Sequence, residues 1–171
     1  LAESWKNIDP TTWEFKLRKD VKWQDGKPFT ADDLIYSYTR AKAVPGSVAT
    51  YGGYLRTIET MTAKDAHTLI IKTNTPNPDL PLNLASVHVV SKHVGEKSTT
   101  EDYNSGKAMV GTGPYKLLSY TPGDRVIMER NDAYFGNKQI WEKVNYRYIN
   151  NAAARTANLL SGEVDVIDKV S

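Results

Sequence analysis

Cysteine is absent from the 171 residues, so disulfides, thiolate metal ligands and cysteine nucleophiles are excluded. Histidine is scarce, at three residues, which leaves little material for an imidazole metal site. No apolar run approaches the roughly 20 residues that a helical membrane span needs, and no signal-peptide pattern is found. Charge of one sign accumulates nowhere: 22 Lys and Arg stand against 20 Asp and Glu, a net charge of +2. A nucleic-acid partner would want a basic stripe, so none is expected. Phenylalanine is also short, at three residues against ten Tyr and four Trp. Rings with a polar tip suit either half-exposed sheet surface or a wet, ring-lined cleft.

What is present is an ordinary globular composition, 40% hydrophobic and 25% charged. A chain of this length buries roughly 70% of the surface its unfolded form exposes, enough for a real core. Trp13, Phe15 and Leu17 alternate with Glu14, Lys16 and Arg18, the period of a half-buried antiparallel strand. Val21 and Trp23 continue the alternation before an Asp25-Gly26 turn. Thr30 and Asp33 form a capping box for a helix carrying Leu34, Ile35, Tyr38 and Ala41 at helical spacing and ending before Pro45-Gly46. Those side chains and the strand face are expected to share one core.

Residues 46–56 read as a loop or an irregular helical turn. Strands are expected at Ile58–Met61, Thr68–Lys72 and Val87–Val90, with a helical turn around Leu80 and a polar loop over 95–108 holding a short helix near Glu101. Tyr115–Tyr120 and Arg125–Arg130 pair around Pro122-Gly123, and Val144, Tyr146 and Tyr148 mark a further strand. Asn151 caps a helix that Gly162 stops, and Val164, Val166 and Ile167 close the chain as a last strand. Hairpins followed by a strand–helix–strand unit predict an α/β fold with mixed sheets.

Three blocks of sequence carry a resemblance. The first holds Leu1-Ala-Glu-Ser-Trp5, Thr12-Trp-Glu-Phe-Lys-Leu-Arg18 and Val21 to Asp33. The second is Val110-Gly-Thr-Gly-Pro-Tyr-Lys-Leu117, then Pro122 to Asn131 and Tyr134-Phe-Gly136. The third is Ala152 to Leu160 followed by Ser161-Gly-Glu-Val-Asp-Val-Ile167. In this order and spacing they resemble the family 5 solute-binding proteins of bacterial ABC importers for peptides, nickel and related ligands. Within that family the match is greatest to the oligopeptide-binding branch. The resemblance implies a type II periplasmic-binding-protein fold, two lobes about a cleft. It also implies an internal fragment of a longer chain, covering part of the first lobe only. Residues 1–108 would be most of an appended smaller subdomain, and 109–171 part of the main α/β portion.

The candidate site residues follow from the same resemblance. Ala49 to Leu55 looks like the segment of the oligopeptide-binding branch whose tyrosine faces the ligand, which points to Tyr51, Gly52 and Tyr54. The adjacent glycines would let a ligand backbone approach closely; the plainer reading is a turn with two surface rings. Other bright residues have duller readings. Asp32 and Asp33 are adjacent on a helix, point apart, and are explained by capping. Glu163 and Asp165 would share a strand face but lack a partner. His67, His88 and His93 lack metal spacing, and Gly111-Thr112-Gly113 leads into a strand rather than a phosphate-binding helix.

The function implied is capture of a peptide-like solute and its delivery to an ABC-transporter permease. The setting would be periplasmic or a cell-surface lipoprotein, touching the membrane only through the permease or a lost lipid anchor. No enzyme activity, cofactor or metal is expected. The alternatives are a hydrolase acting on a small ligand, and a nickel- or metal-chelate-binding member of the same family.

Overall fold

The computed structural model describes residues 1–44 and 51–170; Pro45, Gly46, Ala49 and Thr50, on which parts of the loop and motif readings rest, lie outside them. The alternating strand forms as β2 (Thr12–Leu17), flanked by β1 (Ala2–Asp9) and β4 (Thr68–Thr73), with β3 (Ile58–Asp65) beyond. The sheet order is β1-β2-β4-β3. Register pairs Trp13 with Ile71 and Phe15 with Leu69, so apolar side chains stack on one face of neighbouring strands. β1, exposed throughout, is an edge strand whose sequence lacks a clean alternation, and it was not foreseen.

Helix α1 (Ala31–Lys42) covers the apolar face. Trp13, Phe15, Leu17, Leu34 and Tyr38 are buried in one cluster, with Ile35 partly buried against it. The opposite face carries one departure from the expected pattern. Glu14 is 8% exposed, because Lys6, Lys16 and Lys64 converge on its carboxylate at 3.4, 3.9 and 3.9 Å. Their aliphatic stems cover the sheet while the ammonium groups reach water.

The start of α1 is the best-connected point of the core. Asp33 is 4% exposed and its carboxylate accepts hydrogen bonds from the Thr30 N–H (2.9 Å), the Trp23 indole N–H (3.2 Å) and the Lys92 N–H (2.9 Å). One turn on, Ser37 Oγ accepts from the Val90 N–H at 2.9 Å. Val87–Val90 is therefore not a strand as expected. Val87 is buried, but two backbone donors of residues 90–92 go to side chains of α1 rather than to a ladder, which meets the demand that buried backbone groups be paired.

Short helices follow: α2 (Gly52–Leu55), α3 (Leu80–Ala85), α4 (Lys92–Gly95) and α5 (Thr100–Asn104). The chain then builds a second antiparallel sheet from β5 (Tyr115–Thr121), β6 (Arg125–Arg130) and β7 (Lys143–Arg147), in that order. α6 (Ala152–Leu160) is capped by Asn151 Oδ1, which accepts from the Ala154 N–H at 2.9 Å, and stops at Gly162 with φ +76°.

The expected strand at Val164–Ile167 does not form. The Glu163 and Val164 N–H groups donate to the Asn158 carbonyl at the end of α6, and Val166 is 82% exposed. The strand–helix–strand unit expected at the end of the chain is therefore missing, and among the described residues every pairing within the two sheets is antiparallel, so no mixed sheet is found. The β1–β2, β3–β4 and β5–β6 pairs are hairpins, whose short connections make only antiparallel neighbours.

The two parts of the chain are fastened at Gln24. Its N–H donates to the Gly111 carbonyl at 2.9 Å and its side-chain oxygen accepts from the Gly111 N–H at 3.2 Å. Its side-chain N–H donates to the Tyr115 carbonyl. The Arg18 guanidinium lies 4.9 Å from the centre of the Phe135 ring.

Two substitutions test this core. Leu34, 6% exposed, contributes apolar burial, and Leu34→Ala should cost about 2–5 kcal/mol in urea denaturation. Asp33→Ala should cost about 1–3 kcal/mol for each buried donor it orphans, the Trp23 indole N–H being the fully buried one and those of Thr30 and Lys92 partly buried. A loss below about 1 kcal/mol from Asp33→Ala would show that water replaces the carboxylate there.

Candidate functional site

Tyr51 and Tyr54 stand three residues apart across the single turn of α2, where the Tyr54 N–H donates to the Tyr51 carbonyl at 3.1 Å. Residues at that spacing are neighbours on a helix surface, and the ring centres lie 6.3 Å apart. The turn is held down by Leu55, which has no exposed surface, while the rings stay 45% and 46% exposed. Gly53 has open space where a Cβ would stand. Gly52 is half-buried.

His88 joins them from the other side. Its ring meets Tyr51 edge-on at 6.3 Å, and it is exposed. The segment carrying His88 is held to α1 at Val90 and Lys92. Neither spacing nor composition connected His88 with Tyr51, 37 positions away in the sequence.

A cavity lies on each side of this ring cluster. One, of about 620 Å³, is mixed in character and lined by Gly53, Tyr54, Arg56, Pro76, Asn77 and Asp79 among others. The second, of about 490 Å³, is apolar and is lined by Trp5, Phe15, Leu34, Tyr38, Leu84 and His88 among others. Burial pushes the Tyr38 phenol up to about 12, so it stays a neutral hydroxyl in ordinary buffers. Both volumes fall within the usual range of small-molecule pockets. The arrangement offers stacking surface, hydroxyl donors and shape, the means of holding a ligand.

Elsewhere the structure assembles a set of residues that the sequence kept apart. His93 Nε2 lies 2.5 Å from Asp25 Oδ2, and Ser91 Oγ lies 2.9 Å from His93 Nδ1. Asp25 is held below its ordinary range: desolvation raises it, but the hydrogen bonds from His93 and the Lys27 N–H together prevail. Residue types alone suggest an activated serine. However, Ser91 is 3% exposed and its Oγ accepts the Val94 N–H as the cap of α4. A substrate carbonyl has no approach to it, and the trio ties a turn to a helix.

The remaining candidates stay dispersed. Asp32 pairs with Lys92 at 3.6 Å. Glu163 and Asp165 are exposed on irregular chain and share no strand face. The His67 N–H donates to Asp65 Oδ1 in a turn. Gly111 is bonded to Gln24 and precedes β5. Among the described residues no three His, Cys, Asp or Glu side chains gather as metal ligands, and no helix is long and apolar enough to cross a membrane.

Comparison with known proteins gives consistent results. Residues 1–171 match the family model described as bacterial extracellular solute-binding proteins, family 5 Middle. The chain is 31% identical to the periplasmic oligopeptide-binding protein OppA of Salmonella typhimurium, over 97% of this chain and 34% of that protein. It is similar in structure to MoaA from A.tumefacien R10 in complex with mannopinic acid, with a TM-score of 0.84 and 36% identity, over 96% of this chain and 34% of that one. The oligopeptide-binding protein AppA of Bacillus subtilis, in complex with a nonapeptide, aligns with a TM-score of 0.82 and 27% identity over the same shares. The chain thus spans about a third of the length of these relatives. With the family model matched from first residue to last and the fold shared with periplasmic binding proteins, this chain belongs to the bacterial extracellular solute-binding proteins of family 5.

Proposed function

We propose that the chain is part of the substrate-binding component of an ABC importer. That component would capture a peptide-like solute outside the cytoplasmic membrane and deliver it to the permease. The observation that carries the reading is the exposed ring cluster of Tyr51, Tyr54 and His88, set between two cavities in a chain of this family. Tyr51, Gly52 and Tyr54 form one wall of a ligand cleft, where a phenol stacks on a peptide plane and donates one hydrogen bond. The work is binding rather than turnover, and its compartment is the periplasm or the outer surface of the cytoplasmic membrane. The one constellation that suggests a hydrolase, around His93, has a buried and already engaged serine, so nothing favours that alternative.

The division of the chain belongs to the same proposal. All buried apolar side chains among the described residues lie at or before Ala108, which fits residues 1–108 as a subdomain with its own core. From 109 onward the sheet and α6 leave Ile140, Trp141, Leu160 and Val166 exposed at 67–84%. That exposure fits residues 109–171 as part of a larger α/β portion.

Calorimetry with short peptides tests the reading. The full-length parent should bind in the micromolar range, roughly −8 kcal/mol, whereas the 171-residue chain should give no saturable heat, because one wall leaves the ligand half in water. In the parent, Tyr51→Phe should weaken binding by about 0.5–1.5 kcal/mol, one neutral hydrogen bond, and Tyr51→Ala by more, with thermal stability unchanged. Tight binding by the fragment alone would refute a cleft split between two lobes. A Tyr51→Ala variant that melts early while binding normally would make the ring a packing element.

A further inference from the structure

We propose that the face of the first sheet turned away from α1 is a docking surface for an anionic phospholipid membrane, with Lys6, Lys16, Lys64 and Lys72 as its contacts. The proposal takes from the reading above only the setting outside the cytoplasmic membrane. These lysines are scattered along the sequence, and strand register gathers them. Lys6 lies opposite Glu14, Glu14 opposite Ile70, and Thr60 opposite Lys72. Residues two apart on a strand share a face, so Lys16 stands beside Glu14 and Lys72 beside Ile70, on the side away from Trp13 and Phe15. Lys64 joins them from β3, 3.9 Å from the Glu14 carboxylate. The four side chains are 48–69% exposed.

The charge on this face is unbalanced. One buried carboxylate, Glu14, serves three ammonium groups, none closer than 3.4 Å, and Lys16 Nζ also donates to Thr68 Oγ1 at 3.0 Å. Lys72 pairs with Glu59 at 3.5 Å. Asp9 and Asp65, at the ends of the sheet, turn to the backbone N–H groups of Thr11 and His67. Four ammonium groups over two carboxylates leave an excess equal to the net charge of the whole chain, +2. Glu14 holds three lysine tips near one another, and an outside anion would relieve their mutual repulsion. The remaining register positions decide which anion fits. They hold Thr12, Thr60, Thr62, Thr68 and Ile70, with no aromatic ring and no arginine among them. Protein interfaces concentrate those residues and are poor in lysine. A lysine is a compact point charge on a flexible stem, which asks no fixed geometry of its partner and suits a plane of lipid phosphates.

The test is co-sedimentation of the full-length parent, prepared without a lipid group, with vesicles of phosphatidylcholine alone or mixed with phosphatidylglycerol. The parent should sediment with the mixed vesicles only, and salt near 1 M, where the Debye length is about 3 Å, should release it. Lys72→Gln should weaken binding about fivefold, the share of one lysine near an anionic surface. Lys143→Gln, on β7 of the second sheet, should leave it unchanged. Glu59→Gln should strengthen binding by up to about fivefold, because it unmasks Lys72; a lysine that only supports the fold would not show this. Loss of Lys6 or Lys64 alone strips Glu14 of a partner, so each is replaced by Gln in a Glu14→Gln background, where it should again cost about fivefold. Peptide binding and melting temperature should not move with Lys72→Gln or Glu59→Gln, so failure here leaves the cleft reading standing. If the parent sediments equally with both vesicles, or with neither, the docking surface is wrong. Equal losses from Lys72→Gln and Lys143→Gln would overturn it as well.

Discussion

One buried carboxylate holds the first part of this molecule in register. Asp33 gathers N–H groups from Thr30, Trp23 and Lys92, which belong to a helix start, a turn and a segment 59 positions away along the chain. A carboxylate offers about four acceptor sites, so a single side chain can satisfy donors from three directions. Burial of a charge is costly unless it is fully bonded, and the cost makes the arrangement selective: any packing that pulled one donor away would leave the charge under-satisfied. The position of α1 over β2, and of residues 87–92 beside α1, follows from that demand. So does the place of His88, and through it the setting of Tyr51.

The parts of the fold that the sequence disclosed are those in which one residue type has one local job. The alternation of Trp13, Phe15 and Leu17, the capping box at Thr30 and the cap at Asn151 all act within a few residues, and each appears where expected. What escaped was decided at a distance. Val87–Val90 has the composition of a strand, but its backbone is satisfied by side chains of α1. Glu14 occupies a solvent-face position, yet lysines from two other strands close over it. Val164–Ile167 is apolar enough for a strand and has no neighbour to pair with.

The candidate site was legible in part and for a different reason. Tyr51, Gly52 and Tyr54 were reached through resemblance, since no periodicity marks a ring as a ligand surface rather than as packing. Their exposure beside a buried Leu55 fits the first role. His88 carried no local signal at all: an isolated histidine on a loop has no spacing or periodicity to mark it. Only the folded chain brings its ring against Tyr51.

The junction at Gln24 has a mechanical consequence. Its backbone N–H and both ends of its side-chain amide grip Gly111 and Tyr115, so that one residue acts as two peptide units would at the edge of a ladder. Bonds arranged side by side share a sliding load and must rupture together, unlike a row that can be unzipped one at a time. The joint between Gln24 and the chain at Gly111 and Tyr115 is therefore stiff against shear. A hinge needs a few residues free to absorb large backbone rotations, and this crossing has spent that freedom. The chain around Gln24 and the start of β5 therefore turn as one body.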